Sequence, residues 1–178
     1  MKRPIACILS AIALVAALGS AARADDSREY QIKAAFIYNF LLFTEWPDDA
    51  FADSKSPFVV ATVGNDPFHG LLERILQAKQ VNGRGVKIMH YANPSVVEKC
   101  HVLFLGPENK RDQRSILEKA SPITLTIGDF DEFTAERGML RLFPDGSNIR
   151  FEINLEAVKQ GRVRVSAKLL KLAKIYGQ

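Results

Sequence analysis

The strongest constraint on the fold of this chain is a succession of short apolar runs, rich in β-branched residues, separated by stretches long enough for a helix. Residues 58–64 read FVVATVG, a strand buried on both faces and closed by turn residues. Residues 86–91, 101–106 and 122–128 repeat the pattern. Between the first two runs, Asp66 is placed to cap a helix and Pro67 to open it. That helix carries Phe68, Leu71, Leu72, Ile75 and Leu76 on one side as far as Lys79. VNGRG, residues 81–85, turns the chain into the second strand, residues 94–99 make a helical turn, and residues 112–120 form a third helix. Strands alternating with helices predict an α/β fold whose sheet is mainly parallel, with helices on both faces. The pattern then changes. Residues 139–143 and 148–155 flank Pro144-Asp145-Gly146-Ser147, whose turn chemistry predicts a C-terminal antiparallel hairpin. Nothing indicates a second domain or an internal repeat.

Both ends of the chain are amphipathic. Ser27 can cap a first helix reaching Thr44, and between Ala34 and Phe43 only Asn39 is not apolar. Ile32, Phe36, Phe40 and Phe43 make one stripe and Ala34, Ile37 and Leu41 another, so this helix is expected to be buried almost all round, against the sheet and a second surface. Trp46-Pro47 ends it, and residues 47–57 are a polar loop. At the other end, residues 155–160 form a short helix, Gly161 stops it, and residues 162–165 are extended. Ser166 then caps a last helix running to Tyr176, with Leu169, Leu170, Leu172, Ala173 and Tyr176 on one face and Lys168, Lys171 and Lys174 on the other. The leucines and Ala173 are expected to be structural.

Lys2 and Arg3 precede an apolar run over residues 5–18, and Ala22-Arg23-Ala24 offers small residues where a signal peptidase reads. Residues 1–24 are therefore expected to be a cleaved signal peptide and residues 25–178 the mature domain. The leader removes three of the 24 basic residues and no acid, leaving 21 basic against 20 acidic side chains. A mature net charge of about +1 gives no electrostatic case for nucleic acid or an anionic membrane surface. No other run approaches the length of a membrane span. Only Cys100 remains after cleavage, so no intramolecular disulfide can form in an exported chain.

No G-x-S-x-G motif is present, and His69, His90 and His101 are widely separated. No catalytic, cofactor-binding or metal-ligating residue is assigned. Gly64 and Asp66 follow the first strand and Asp129 the fourth, so their loops are expected at one edge of the sheet, where α/β proteins hold small ligands. Arg150, Glu152 and Asn154 share the polar face of the last hairpin strand, expected to be solvated unless burial forces them into a network. Phe36, Phe40 and Trp46 belong to an aromatic set that either fills the core or meets a partner.

The stretches IKAAFIYNFLLFTEWP, VVATVGNDPF, KCHVLFLG, ITLTIGDFDEF and IRFEINLEAVKQGRVRVSAKLLKLAKI, taken in this order, resemble the YfiR family of exported bacterial proteins. The resemblance spans nearly the whole mature chain. It implies an α/β sandwich, a homodimer and a periplasmic location. It also implies a role without chemistry or cofactor: restraint of a membrane-bound diguanylate cyclase of the YfiN type through that enzyme's periplasmic domain, relieved by an OmpA-like lipoprotein of the YfiB type. The paired disulfides of better-known members cannot form around Cys100 alone. A soluble small-ligand binding protein, with its cleft at the loops after the first and fourth strands, is the alternative. A hydrolase comes third.

Overall fold

Each run predicted as a strand is one, and the strands lie side by side in the computed structural model, which describes residues 27–93 and 99–177. Helix α1 covers residues 27–42. It is followed by β1 (Thr44–Glu45), β2 (Phe58–Val63), α2 (Leu71–Leu76), β3 (Gln80–Val81), β4 (Arg84–Tyr91), β5 (Val102–Leu105) and α3 (Gln113–Lys119). The rest comprises β6 (Leu125–Gly128), β7 (Leu140–Asp145), β8 (Asn148–Ile153), α4 (Leu155–Gln160), β9 (Arg164–Val165), α5 (Ala167–Leu172) and β10 (Lys174–Ile175). Eight strands form one sheet in the order β10-β8-β7-β6-β5-β2-β4-β3, while β1 and β9 pair separately. Strands β7, β6, β5, β2 and β4 are parallel to their neighbours in this series. The β7–β8 pair is the antiparallel hairpin, with Leu142 opposite Phe151.

Two apolar layers cover the two faces, as expected of a mainly parallel sheet. On one face Val60, Phe104, Leu125 and Ile127 meet Ala34, Ile37, Phe40 and Leu41 of α1, Leu72 and Leu76 of α2, Val158 of α4 and Leu169 of α5. On the other, Ala61, Val63, Leu103 and Leu105 meet Ile116 of α3 and the rings of Phe130 and Phe133. Alternation along each strand sends neighbours to opposite layers. This is why Val60 and Ala61, or Phe104 and Leu105, serve different cores.

Several expectations are corrected by what packs where. Helix α1 is not buried all round: Ala35, Asn39 and Leu42 are exposed, because the sheet covers only the side bearing Ala34, Ile37 and Leu41. Ser27, expected to cap it, is itself helical. Asp66 caps a turn rather than a helix, accepting the N–H groups of Phe68 (3.0 Å) and Gly70 (2.9 Å). His69 and Gly70 then adopt φ of 49° and 74°, so α2 starts only at Leu71. VNGRG is a full hairpin, with β3 paired to β4 through Asn82 and Gly83 at φ of 52° and 78°, the left-handed pair that a two-residue hairpin turn requires.

The last helix is also shorter than its periodicity suggests. Ser166 does cap it, with the Leu169 N–H donating to Ser166 Oγ at 3.4 Å, but α5 ends at Leu172 and the chain extends into β10. Lys174 and Ile175 lie in parallel register with Glu152 and Ile153 of β8. Closing the open edge of β8 wins over another helical turn, since edge N–H and C=O groups otherwise lack partners. Leu169 is buried, whereas Leu172 is 74% exposed, so not every leucine of this face is structural. The proposed signal peptide and most of the turn at residues 94–99 lie outside the described residues.

Candidate functional site

Parallel strands β2, β5 and β6 end side by side, and the residues that follow them form the polar end of the sheet. Gly64 leaves β2 at φ 79°, Glu108 lies beyond β5, and Asp129 directly follows β6. A Cβ on Gly64 would sit 3.2 Å from Glu108 Oε1, so glycine supplies both the left-handed turn and the close approach. The first turns of α1 descend on this edge. Lys33 Nζ lies 2.8 Å from Asp129 Oδ2 and 2.5 Å from Glu29 Oε1, and the Tyr30 hydroxyl donates to Asp129 Oδ2 at 2.9 Å.

This cluster is buried. The side chains of Lys33 and Asp129 are 4% and 0% exposed. Burial, followed by the Asp129 charge, pushes the Tyr30 hydroxyl well above the ordinary phenol range, which keeps it a donor. Burial and the Asp129 charge also raise the Glu108 carboxyl. Asp129 Oδ1 has no hydrogen-bond partner among the described residues. Glu108 thus stands beside Gly64, and its carboxyl feels the Asp129 charge. Asp66, however, is engaged by its own turn. The nearest cleft, about 450 Å³, is lined by Ser27, Tyr30, Pro67, Phe68, His69, Leu71 and Arg74 and has neither Gly64 nor Asp129 in its wall.

Lys33, Tyr30 and Glu108 were not singled out by the sequence. A signal for Lys33 was present: at four and seven residues before Ile37 and Phe40, it lies in phase with the buried stripe of α1. A lysine in such a stripe requires a buried anion, and Asp129 supplies it.

The other candidate residues fall in three further places. Phe40 is fully buried and packs at 5.2 Å on Phe151, so its ring belongs to the core and not to a surface. Phe36, half-buried, leans on both of them at 5.9 and 5.6 Å. Trp46 donates its indole N–H to the Ile123 carbonyl at 2.8 Å and meets Phe58 edge-on. Arg150 is exposed and pairs with Asp145 at 2.7 Å. Glu152 departs from the solvated reading: it is 4% exposed, accepts from Thr134 Oγ1 at 2.5 Å, and lies 3.5 Å from Arg141 and 3.4 Å from Lys174. Thr134, Arg141 and Lys174 surround it, and through Lys174 the network ties β10 to the hairpin. Asn154 caps α4, accepting from the Ala157 N–H at 3.0 Å.

His101 stands beside Trp46 in an aromatic box. Its ring stacks on Phe51 at 4.5 Å, and Nδ1 accepts the Val59 N–H at 2.9 Å, which fixes the neutral form. Burial, with the Lys99 and Arg84 charges adding to it, pushes this histidine from an ordinary 6.5 down to about 4. The unfolded chain therefore binds a proton between those values that the folded chain refuses, so stability falls as pH drops from about 6.5 towards 4. The melting temperature is expected to decline over that interval. In His101→Asn, whose Oδ1 can still accept the Val59 N–H, the decline should be smaller.

The mixed α/β fold with its mainly parallel sheet agrees with the fold that the resemblance implies, and a family comparison decides the matter. The family model described as YfiR/HmsC-like matches residues 30–174, well over half of the chain. The chain belongs to the YfiR/HmsC-like family. The matched segment begins at Tyr30, whose hydroxyl holds Asp129, and ends at Lys174, which faces Glu152. It thus contains the Glu152 network and, except for Glu29, the Lys33–Asp129 cluster. YfiR/HmsC-like membership supports a periplasmic regulator of cyclic di-GMP signalling, in a family that is regulatory. Among the described residues, no helix is long and apolar enough to cross a membrane.

Proposed function

We propose that this protein binds the periplasmic sensor domain of a membrane-bound diguanylate cyclase and holds that enzyme in its inactive arrangement. The family match over residues 30–174 carries this reading. Restraint of this kind needs no reaction, only higher affinity for the inactive than for the active sensor. The exposed apolar side chains that support it lie at the end of α1, at the end of α5 and just beyond β10. Leu42, Leu172 and Tyr176 are the exposed large hydrophobic residues among those described. Lys168 Nζ rests 5.7 Å above the half-buried ring of Phe43, and Leu172 lies one helical turn beyond Lys168. Apolar side chains framed by lysine stems form the kind of surface that protein partners cover.

In this reading residues 1–24 direct export and are removed, the mature chain pairs with a second copy, and an OmpA-like lipoprotein sequesters it to release the cyclase. Control by disulfide exchange is no part of it. Cys100 is buried, and burial pushes its thiol up to about 12, so it is held protonated and unreactive. A small-ligand binding role is the second reading, favoured by one observation: Asp129 Oδ1 is buried at the polar end of the sheet without a partner among the described residues. Affinity capture from solubilised inner membranes with the tagged mature protein separates the two. Recovery of a diguanylate cyclase, reduced by Leu172→Glu, is expected. Recovery of none, with a melting temperature raised by a small metabolite, would favour the second reading.

A further inference from the structure

The three histidines are far apart in sequence, but the fold brings one of them to two carboxylates. His90 on β4, Glu73 on α2 and Asp66 in the turn before it each present a ligand atom, and these atoms lie within 4.8 Å of one another. We infer that Asp66, Glu73 and His90 form a binding site for a divalent transition-metal ion, with zinc the best fit, joining α2 to the sheet.

Four features support the site. Three separate elements converge on it. The imidazole is oriented from behind: His90 Nδ1 and Thr62 Oγ1 are 2.6 Å apart, and Thr62 is 1% exposed on the neighbouring strand. A metal-binding histidine is commonly held in this way, with its second nitrogen engaged so that the first points at the ion. His90 Nε2 faces Glu73 Oε1, with which it is in contact. The second oxygen, Glu73 Oε2, is buried and has no hydrogen-bond partner among the described residues. Finally, two carboxylates share this small space, and among the described residues no lysine or arginine forms an ion pair with either. A divalent ion supplies the missing positive charge and the missing partner for Oε2.

The donor set selects the ion. One imidazole nitrogen with two carboxylates suits zinc, at bonds of about 2.0–2.2 Å. Magnesium and calcium prefer all-oxygen shells. Asp66 already accepts two backbone N–H groups, which fixes its carboxylate before an ion arrives. His90 and Glu73 are 38% and 32% exposed, so the ion has an open path and a place for a water ligand.

Calorimetric titration of the tag-free, chelator-treated mature protein tests the site. One zinc per chain is expected, with magnesium at least about tenfold weaker, and a melting temperature raised by roughly 5–10 °C at a hundredfold excess of zinc over Kd. His90→Ala and Glu73→Gln, checked by circular dichroism for intact folding, should abolish binding. Thr62→Val should weaken it by roughly tenfold or more. His69→Ala, at an exposed histidine outside the set, should leave it unchanged. Absence of zinc binding below about millimolar concentration, or binding that survives both His90→Ala and Glu73→Gln, would overturn the assignment.

Discussion

Replacing Lys33 by alanine will destabilise the protein by about 3–5 kcal/mol, the cost of stripping the partner from a buried charge. The Asp129 carboxylate, 0% exposed, would keep only the Tyr30 hydroxyl as a partner on Oδ2, while Oδ1 has none among the described residues. Glu29, the other anion on Lys33, is 35% exposed and would turn to water, so the loss falls on Asp129. Urea unfolding at neutral pH should show the midpoint lowered by about 1–3 M with little change in slope. Lys33→Met will not rescue the fold, because it restores volume but not charge. Adding Asp129→Asn should recover much of the loss, since a buried pair replaced at both ends avoids the uncompensated charge. If the double variant is no more stable than Lys33→Met alone, the ion pair is not what holds α1 to the sheet.

Gly138→Ala will cost about 3 kcal/mol or more by overpacking. Phe133 is fully buried, and its ring is gripped along both edges. A Cβ on Gly138 would lie 2.2 Å from Phe133 Cδ1 and Cε1, and one on Gly128 would lie 2.4 Å from Cδ2. The ring cannot retreat from one glycine without meeting the other. The backbone is anchored as well, with the Phe133 carbonyl accepting from the Gly138 N–H and from Gln113 Nε2, both at 2.8 Å. Combining Gly138→Ala with Phe133→Val should be less damaging than the sum of the two changes. Thermal unfolding of the four proteins measures that coupling, and strict additivity would mean that the clash is not the cause.

What could be read in the sequence was set by local chemistry. β2, β5 and β6 announce themselves as short β-branched runs closed by turns, and the β7–β8 hairpin by Pro-Asp-Gly-Ser, because strand burial and turn geometry are written within a few residues. Family membership was legible for the same reason, carried by stretches at both ends of the domain. The rest depends on partners distant in the chain. Glu152 looks like a solvated strand residue until Thr134, Arg141 and Lys174 gather around it. Residues 173–176 continue a helical pattern, yet Lys174 and Ile175 become a strand because β8 has an open edge. Gly138 carries no motif, and its importance comes from the ring of Phe133. Lys33 and Asp129 are 96 positions apart, and Glu73 and His90 come together only when α2 packs beside β4. The polar networks were therefore the least visible part of the molecule, although three of the side chains in them, Asp66, Asp129 and Glu152, are marked by the sequence.

Restraint of a membrane diguanylate cyclase from the periplasmic side, as proposed, would set the level of cyclic di-GMP inside the cell. The decisive measurement is intracellular cyclic di-GMP in cells lacking the chain and in cells supplied either with the full sequence or with residues 25–178 alone. Loss of the chain should raise the nucleotide several-fold, the full sequence should restore the basal level, and the leaderless form should not. An unchanged level on loss of the chain, or full restoration by the leaderless form, would rule out periplasmic restraint of the cyclase.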